Sequence, residues 1–306
     1  MRALEPRQHG YVTRDGVRLH WELFGNGKTA VFLLPAWSIV NSLHWKFQVP
    51  FLARHCRVLT MDGRGSGLSD RPVDPQAYGD AAFVADAFAV MDAAGIERAA
   101  VAGLSSGGLW AVMMAAQQPR RVTSLALIAP AAWVVPPDPE LLEAVGTFED
   151  VLPTHPGWHR WNAAYWMSNY PDFVQFFMER CFPERHSAKQ IEDTVGWGLE
   201  TTPEVLVAIE RAETRFEAIQ YIEAVRCPVL IVHGDRDEVV LLENSIDLAE
   251  LMHGTLVVVK GSGHLPHARY PVRVNLALRD FLLANAEGTE LRLESISTSL
   301  TPPQGR

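Results

Sequence analysis

Short apolar runs recur along the chain, separated by amphipathic stretches. TAVFLLP (29–35), CRVLTMD (56–62), RAAVAGL (98–104), VTSLALIAP (122–130), CPVLIVHGD (227–235) and GTLVVVKGSG (254–263) are compact and rich in Val, Ile and Leu. Runs of this kind suit parallel strands covered on both faces. VRLHWELFG (17–25) instead alternates, which predicts an antiparallel edge strand turned by Gly25-Asn26-Gly27. Helical spacing fills the gaps. Val84, Phe88, Met91 and Gly95 follow i, i+4, i+7, i+11, and Val274, Leu278, Phe281 and Leu282 follow i, i+4, i+7, i+8 behind Pro271, a residue suited to a helix start. Strand and helix in alternation predict an α/β sheet.

The alternation stops near residue 131 and resumes near 225. No buried strand is predicted between, but helix starts are: Thr201-x-x-Glu204 with Pro203, and Ser187-x-x-Gln190, both read as capping boxes. The expected organisation is one sheet domain (1–131 and 221–286) split by a helical insertion (132–220), then a mobile tail (287–306) without periodicity.

Composition narrows the functional classes. In 306 residues the formal charge is −9, which disfavours a nucleic-acid or polybasic membrane-surface role. Cys56, Cys181 and Cys227 form no CxxC or Cys/His cluster, so buried thiols in a reducing compartment are expected, and no metal site. The opening MRALEPRQHG has no apolar signal core, and no apolar run reaches the ~18–20 residues of a membrane span. A cytoplasmic protein with a small-molecule partner, monomeric or homodimeric, is the expectation.

The chemistry centres on Gly103-Leu104-Ser105-Ser106-Gly107, placed between a strand and a buried helix. G-x-S-x-G in that context is a nucleophile elbow: the sharp turn strains the Ser backbone, and side chains two residues either side would collide. With further motifs in order, the chain resembles the α/β-hydrolases, in particular those with a helical lid. Asp62-Gly63-Arg64-Gly65-Ser66-Gly67-Leu68-Ser69 matches the family's D-x-R-G-x-G-x-S loop, His233-Gly234-Asp235-Arg236-Asp237 its acid loop and Gly261-Ser262-Gly263-His264 its histidine loop. The resemblance covers roughly 10–285. It implies a mostly parallel eight-stranded sheet flanked by helices, with an inserted cap.

It also implies roles. Ser105 is the nucleophile and His264 the base, with His267 the fallback. Asp237 is the acid, and Asp235 supports the loop; the alternative acid position after the preceding strand holds Ala129-Pro130-Ala131, without a carboxylate. Backbone N–H groups of Ser106 and Trp37 form the oxyanion hole, although Pro35-Ala36 stands where the family has His-Gly. Asp62 and Arg64 brace the active-site floor. No cofactor is implied.

The insertion carries five of the nine Trp: Trp133, Trp158, Trp161, Trp166 and Trp197. Trp158, Trp161 and Tyr165 are spaced as one helical stripe, and Phe173, Phe176 and Phe177 as another. Packed over the sheet, such a lid predicts an aromatic-walled pocket, with Trp133, Trp158, Trp161, Tyr165, Trp166 and Leu265 as candidate substrate contacts. The expected activity is hydrolysis of a carboxylic ester or related acyl bond of a small apolar or aromatic substrate. Carbon–carbon cleavage of a ring-fission product, lactone opening and amide hydrolysis fit the same triad, and a non-catalytic ligand receptor fits the same fold.

Overall fold

A computed structural model describes residues 4–212 and 218–285. Eight strands form one sheet: β1 (Gln8–Arg14), β2 (Val17–Phe24), β3 (Ala30–Leu33), β4 (Arg57–Met61), β5 (Ala99–Leu104), β6 (Val122–Ile128), β7 (Val229–Gly234) and β8 (Thr255–Val259), in the order β1-β2-β4-β3-β5-β6-β7-β8. Pairing is parallel from β4 to β8 and antiparallel at β1–β2 and β2–β4.

Two expectations about edges change. β2 is antiparallel but interior, because β1 covers its outer side. The hairpin joining them turns on Asp15-Gly16 with φ of 50° and 77°, the left-handed pair that a tight two-residue turn demands. At the other end β8 is the opposite edge. Only Val259 is buried there, whereas β3, β5 and β7 are buried throughout.

The flanking helices follow from the apolar spacing. α1 (Asp80–Ala93) packs against β1, β2 and β4. Gly95 does not continue its stripe; at φ 66° it ends the helix, with its N–H donating to the Asp92 carbonyl. α2 (Ser106–Gln117) leaves β5 directly. Between β6 and β7 lie α3 (Pro139–Gly146), a 3₁₀ turn (Gly157–Arg160), α4 (Ala163–Cys181), α5 (Ala188–Gly198), α6 (Pro203–Glu210) and α7 (Ala218–Ala224), with no strand among the described residues. α7 packs on α2, so the expected break at 220/221 falls inside a helix held to the sheet domain. α8 (Leu242–Leu251) and α9 (Pro271–Ala284) complete the fold, and α9 buries Val274, Leu278, Phe281 and Leu282 as its spacing predicts.

Neither capping box forms. Thr202, not Thr201, precedes α6, and the Thr201 hydroxyl donates instead to the Gly65 carbonyl at 2.7 Å. Ser187 does begin α5, but its hydroxyl bonds Glu184 Oε2 at 3.3 Å. The tail 287–306 and Phe216 lie outside the described residues. No helix among the described residues is long and apolar enough to cross a membrane.

Candidate active site

The strand order reverses around β3, where β4 lies on one side and β5 on the other. Crevices at such a reversal, outside the carboxyl ends of the strands, are where open α/β sheets bind ligands. Trp37 follows β3, Ser105 follows β5, Asp237 follows β7 and His264 follows β8.

Ser105 sits at φ 52°, ψ −120°, a conformation an L-residue adopts only when its surroundings enforce it. Its own N–H donates to the Ile128 carbonyl at 3.0 Å, and its carbonyl accepts from Gly108 N at 2.8 Å. The two flanking glycines are steric necessities. A Cβ at Gly103 would lie 2.1 Å from the Gly107 carbonyl oxygen, and one at Gly107 would lie 2.2 Å from that of Pro35. Ser106 then opens α2, where first-turn N–H groups have no helical acceptor.

Asp237 is the most heavily bonded of the acid-loop carboxylates. Oδ1 accepts from the N–H groups of Val239 (2.8 Å) and Val240 (3.0 Å). Oδ2 faces His264 Nδ1 at 2.8 Å and His233 Nε2 at 3.1 Å. Burial alone would raise this carboxyl, but the His264 charge and the bonds from His233 and His264 hold it well below the usual carboxylate range. His233 Nε2 also meets the Val240 carbonyl at 2.8 Å, so two acceptors fix the proton there, and Nδ1 accepts from the Ser245 hydroxyl at 2.6 Å. The same logic puts an N–H on His264 Nδ1, facing Asp237. Asp235 instead accepts from Gly261 N at 2.5 Å, tying the acid loop to the histidine loop.

The histidine loop is anchored from the insertion. His264 N–H donates to the Cys181 carbonyl at 3.0 Å, and Gly263 N–H to Glu184 Oε1 at 2.6 Å. His267 lies apart from Ser105, in a buried pair with His44 (Nε2 to Nδ1, 3.3 Å). Burial, and secondarily the charge of His264, push its imidazole down to about 3.

Ser105, Ser106, Trp37 and His264 line one cavity of about 240 Å³, near the low end of the ~300–1,000 Å³ typical of small-molecule sites. The described residues show no hydrogen bond between Ser105 Oγ and His264; such contacts commonly tighten only with substrate bound. Pro35-Ala36 is accommodated in the loop after β3. Ala36 is buried without a positive φ, so the backbone there does not need Gly. Bracing comes from Trp45 Nε1 to the Leu34 carbonyl (2.8 Å), Ser38 Oγ to the Arg64 carbonyl (2.8 Å) and Ser42 N–H to Asp62 Oδ1 (2.9 Å). Arg64 is buried and bidentate to Asp86 at 2.6 and 2.7 Å, a structural pair away from the cavity.

Of the aromatic candidates, Trp133, Trp158 and Trp161 line the cavity with Leu265, while Tyr165 and Trp166 do not. Asn162 caps α4 and breaks the expected stripe: Trp158 lies in the 3₁₀ turn, Trp161 just after it, and only Tyr165 in the helix. Tyr165 turns outward and donates to Asp172 at 2.6 Å; Trp166 is fully buried, donating to the Arg160 carbonyl at 2.9 Å. Trp161 stacks on Trp37, centroids 4.9 Å apart at 20°, so lid and oxyanion loop meet ring to ring.

Sequence reasoning missed two carboxyls in the cavity wall, Asp80 and Glu210. Asp80 accepts from Trp110 Nε1 at 2.8 Å, although burial raises its carboxyl. Glu210 ends α6; burial pushes it up to about 7, and the nearby Trp161 indole N–H opposes this without reaching hydrogen-bond geometry. Glu210 is half-buried and lines the cavity. The signal available was a single Glu closing the apolar helix PEVLVAIE, which periodicity reads as an ordinary polar end. Among the described residues no group of three or more His, Cys, Asp or Glu could hold a metal ion.

The family described as alpha/beta hydrolase fold matches residues 29–269. The chain belongs to the α/β-hydrolase family. Within it, a RutD protein of Caulobacter sp. (strain K31), named as a carbamate hydrolase, is 30% identical over 79% of this chain and 86% of its own. A 2-hydroxymuconate semialdehyde hydrolase of Pseudomonas sp. (strain CF600) is 28% identical over 78% of this chain and 81% of its own. Among solved structures, a thermophilic esterase of Thermogutta terrifontis aligns with a TM-score of 0.76 at 25% identity, over 91% of this chain and 99% of the esterase. This α/β-hydrolase therefore shares its fold and most of its length with hydrolases of differently named substrates.

Proposed function

We propose that this α/β-hydrolase is a serine hydrolase that cleaves a carboxylic ester, or a related acyl bond, of a small apolar or aromatic substrate. The observation that carries the reading is the strained Ser105 hydroxyl sharing one aromatic-walled cavity with an imidazole whose Nδ1 is held by a buried carboxylate. Ser105 Oγ attacks the carbonyl carbon while His264 Nε2 takes its proton. Asp237 keeps His264 in the required tautomer and balances the imidazolium. The oxyanion is met by the N–H groups of Ser106 and Trp37. His264 returns the proton to the leaving alcohol, and a water, deprotonated by the same nitrogen, releases the acid. Three unpaired thiols support a cytoplasmic site of action.

Similarity to a semialdehyde hydrolase favours carbon–carbon cleavage as a second reading. The name of another relative, 2-hydroxy-6-oxo-2,4-heptadienoate hydrolase from Pseudomonas putida, specifies a carboxylate substrate. The described wall of this cavity holds Asp80 and Glu210 and neither Lys nor Arg, a poor match for an anion. Ester hydrolysis is preferred on that ground.

A fluorophosphonate probe tests the reading. Wild type is expected to be labelled and to turn over short aromatic esters, and Ser105→Ala to do neither. Absence of labelling together with no turnover across esters of varied acyl length refutes it.

A further inference from the structure

We infer that Glu210 is the specificity-determining residue of the cavity and that the substrate carries a protonated amine as well as the acyl bond that is cleaved; the inference deepens the ester-hydrolase reading and rests on it. The cavity wall is mostly apolar, and its two carboxyls differ in how they are satisfied. Asp80 is committed to Trp110. The Glu210 side chain makes no hydrogen bond among the described residues, and the nearby Trp161 Nε1 falls short of one. The adjacent Arg211 offers nothing, since it turns outward to grip Glu149 at 2.7 and 2.9 Å. An acid enclosed in an apolar wall without a partner is costly to keep, and a cation delivered by a ligand offsets that cost.

The rest of the wall suits the same ligand. Trp133, Trp158 and Trp161 line the same cavity as Glu210, and indole faces attract ammonium groups through their quadrupole. A carboxylate set among tryptophans is the chemistry that recognises an alkylammonium. It repels a carboxylate, and it leaves a hydrocarbon tail without compensation for the buried acid. Ser105 and His264, which line the same cavity, need only the ester carbonyl. One group would thus hold the amine end while the other attacks the acyl end.

Binding can be separated from catalysis by using Ser105→Ala. Calorimetric titration at about pH 8, where a Glu210 carboxyl near 7 is mostly ionised, compares benzylamine, benzyl alcohol and benzoate. Benzylamine is expected to bind about ten- to a hundredfold more tightly than benzyl alcohol, the range of a charge-assisted hydrogen bond, and benzoate most weakly. Adding Glu210→Gln should erase the amine preference while benzyl alcohol still binds, which shows that the cavity survives; Glu210→Asp should keep part of it. Equal binding of the amine and the alcohol, tightest binding of benzoate, or an amine preference unchanged in Glu210→Gln overturns the inference. Fluorophosphonate labelling of the wild type reports separately on the parent reading. Labelling without amine preference defeats only the role of Glu210, and amine preference without labelling defeats only the ester chemistry.

Discussion

Replacing Asp237 by Asn changes one atom and should remove nearly all turnover. In the wild type Oδ1 is taken by the N–H groups of Val239 and Val240, and Oδ2 by two imidazole nitrogens. An Asn must keep its oxygen toward the two backbone donors, since turning it over would set its NH₂ against both. Its NH₂ then faces His264 Nδ1. That nitrogen can meet a donor only as an acceptor, so the imidazole proton moves to Nε2, the atom that has to receive the Ser105 proton. A base protonated on the wrong nitrogen is expected to cost ~10⁴ in kcat, about 5 kcal/mol in the barrier. The assay is steady-state hydrolysis of a chromogenic aromatic ester, with the fluorophosphonate labelling rate as a second readout. Asp235→Asn is the control: among the described residues its side chain bonds only the Gly261 N–H, and less than a ~tenfold loss is expected from a support of this kind. If Asp237→Asn stays within tenfold of wild type, or Asp235→Asn is the worse of the two, the assignment of the acid is wrong.

Other outcomes follow from burial and sterics. His267 is held neutral down to about 3, so between the ordinary histidine range and that value the unfolded chain binds a proton that the folded chain does not. Stability should therefore fall as pH drops from about 6.5 toward 3, and His267→Gln should flatten that slope in urea melts while leaving kcat within about tenfold. Asp237 is perturbed in the same direction and adds to that slope at lower pH: its stabilising contribution is present above the usual carboxylate range and is lost progressively as pH falls below it. The glycines separate by position. Gly107→Ala drives a Cβ to 2.2 Å from the Pro35 carbonyl and should cost at least ~3 kcal/mol, whereas Gly196→Ala in α5 meets nothing within 4 Å and should gain up to ~1 kcal/mol. Denaturant titration of both variants checks the pair.

Much of this architecture is written in short-range pattern. Strands β3 to β7 are short, mostly apolar runs because both faces are covered, and a run of that kind admits few other readings. β1 escaped because QHGYVTR lies at the rim, exposed or half-buried along its length, so its pattern reflects solvent rather than a core. Its one local signal was the Asp15-Gly16 turn. The motif loops were legible since steric rules dictate them, as Gly103 and Gly107 show. The lid was legible only as helices. Trp158, Trp161 and Tyr165 have the spacing of one face, but Asn162 starts a new helix between them, and a cap of that sort outranks periodicity. Glu210 was invisible for a different reason. Its meaning depends on which surface α6 turns toward, and that is decided by packing between segments distant in sequence.

The anchoring of the histidine loop bears on how this enzyme could be altered. The His264 loop hangs from the insertion, through the Cys181 carbonyl and the Glu184 carboxylate, and Gly263 leaves room for Pro183, whose Cδ would lie 2.3 Å from a Cβ there. The insertion and the His264 loop are thus a single mechanical part, although they are separated by some eighty positions of chain. Exchanging the insertion for that of a relative, the obvious route to a new substrate range, would unseat the imidazole unless residues 181–184 travel with the core. The useful crossover points lie inside the insertion, before Cys181, and not at its outer ends.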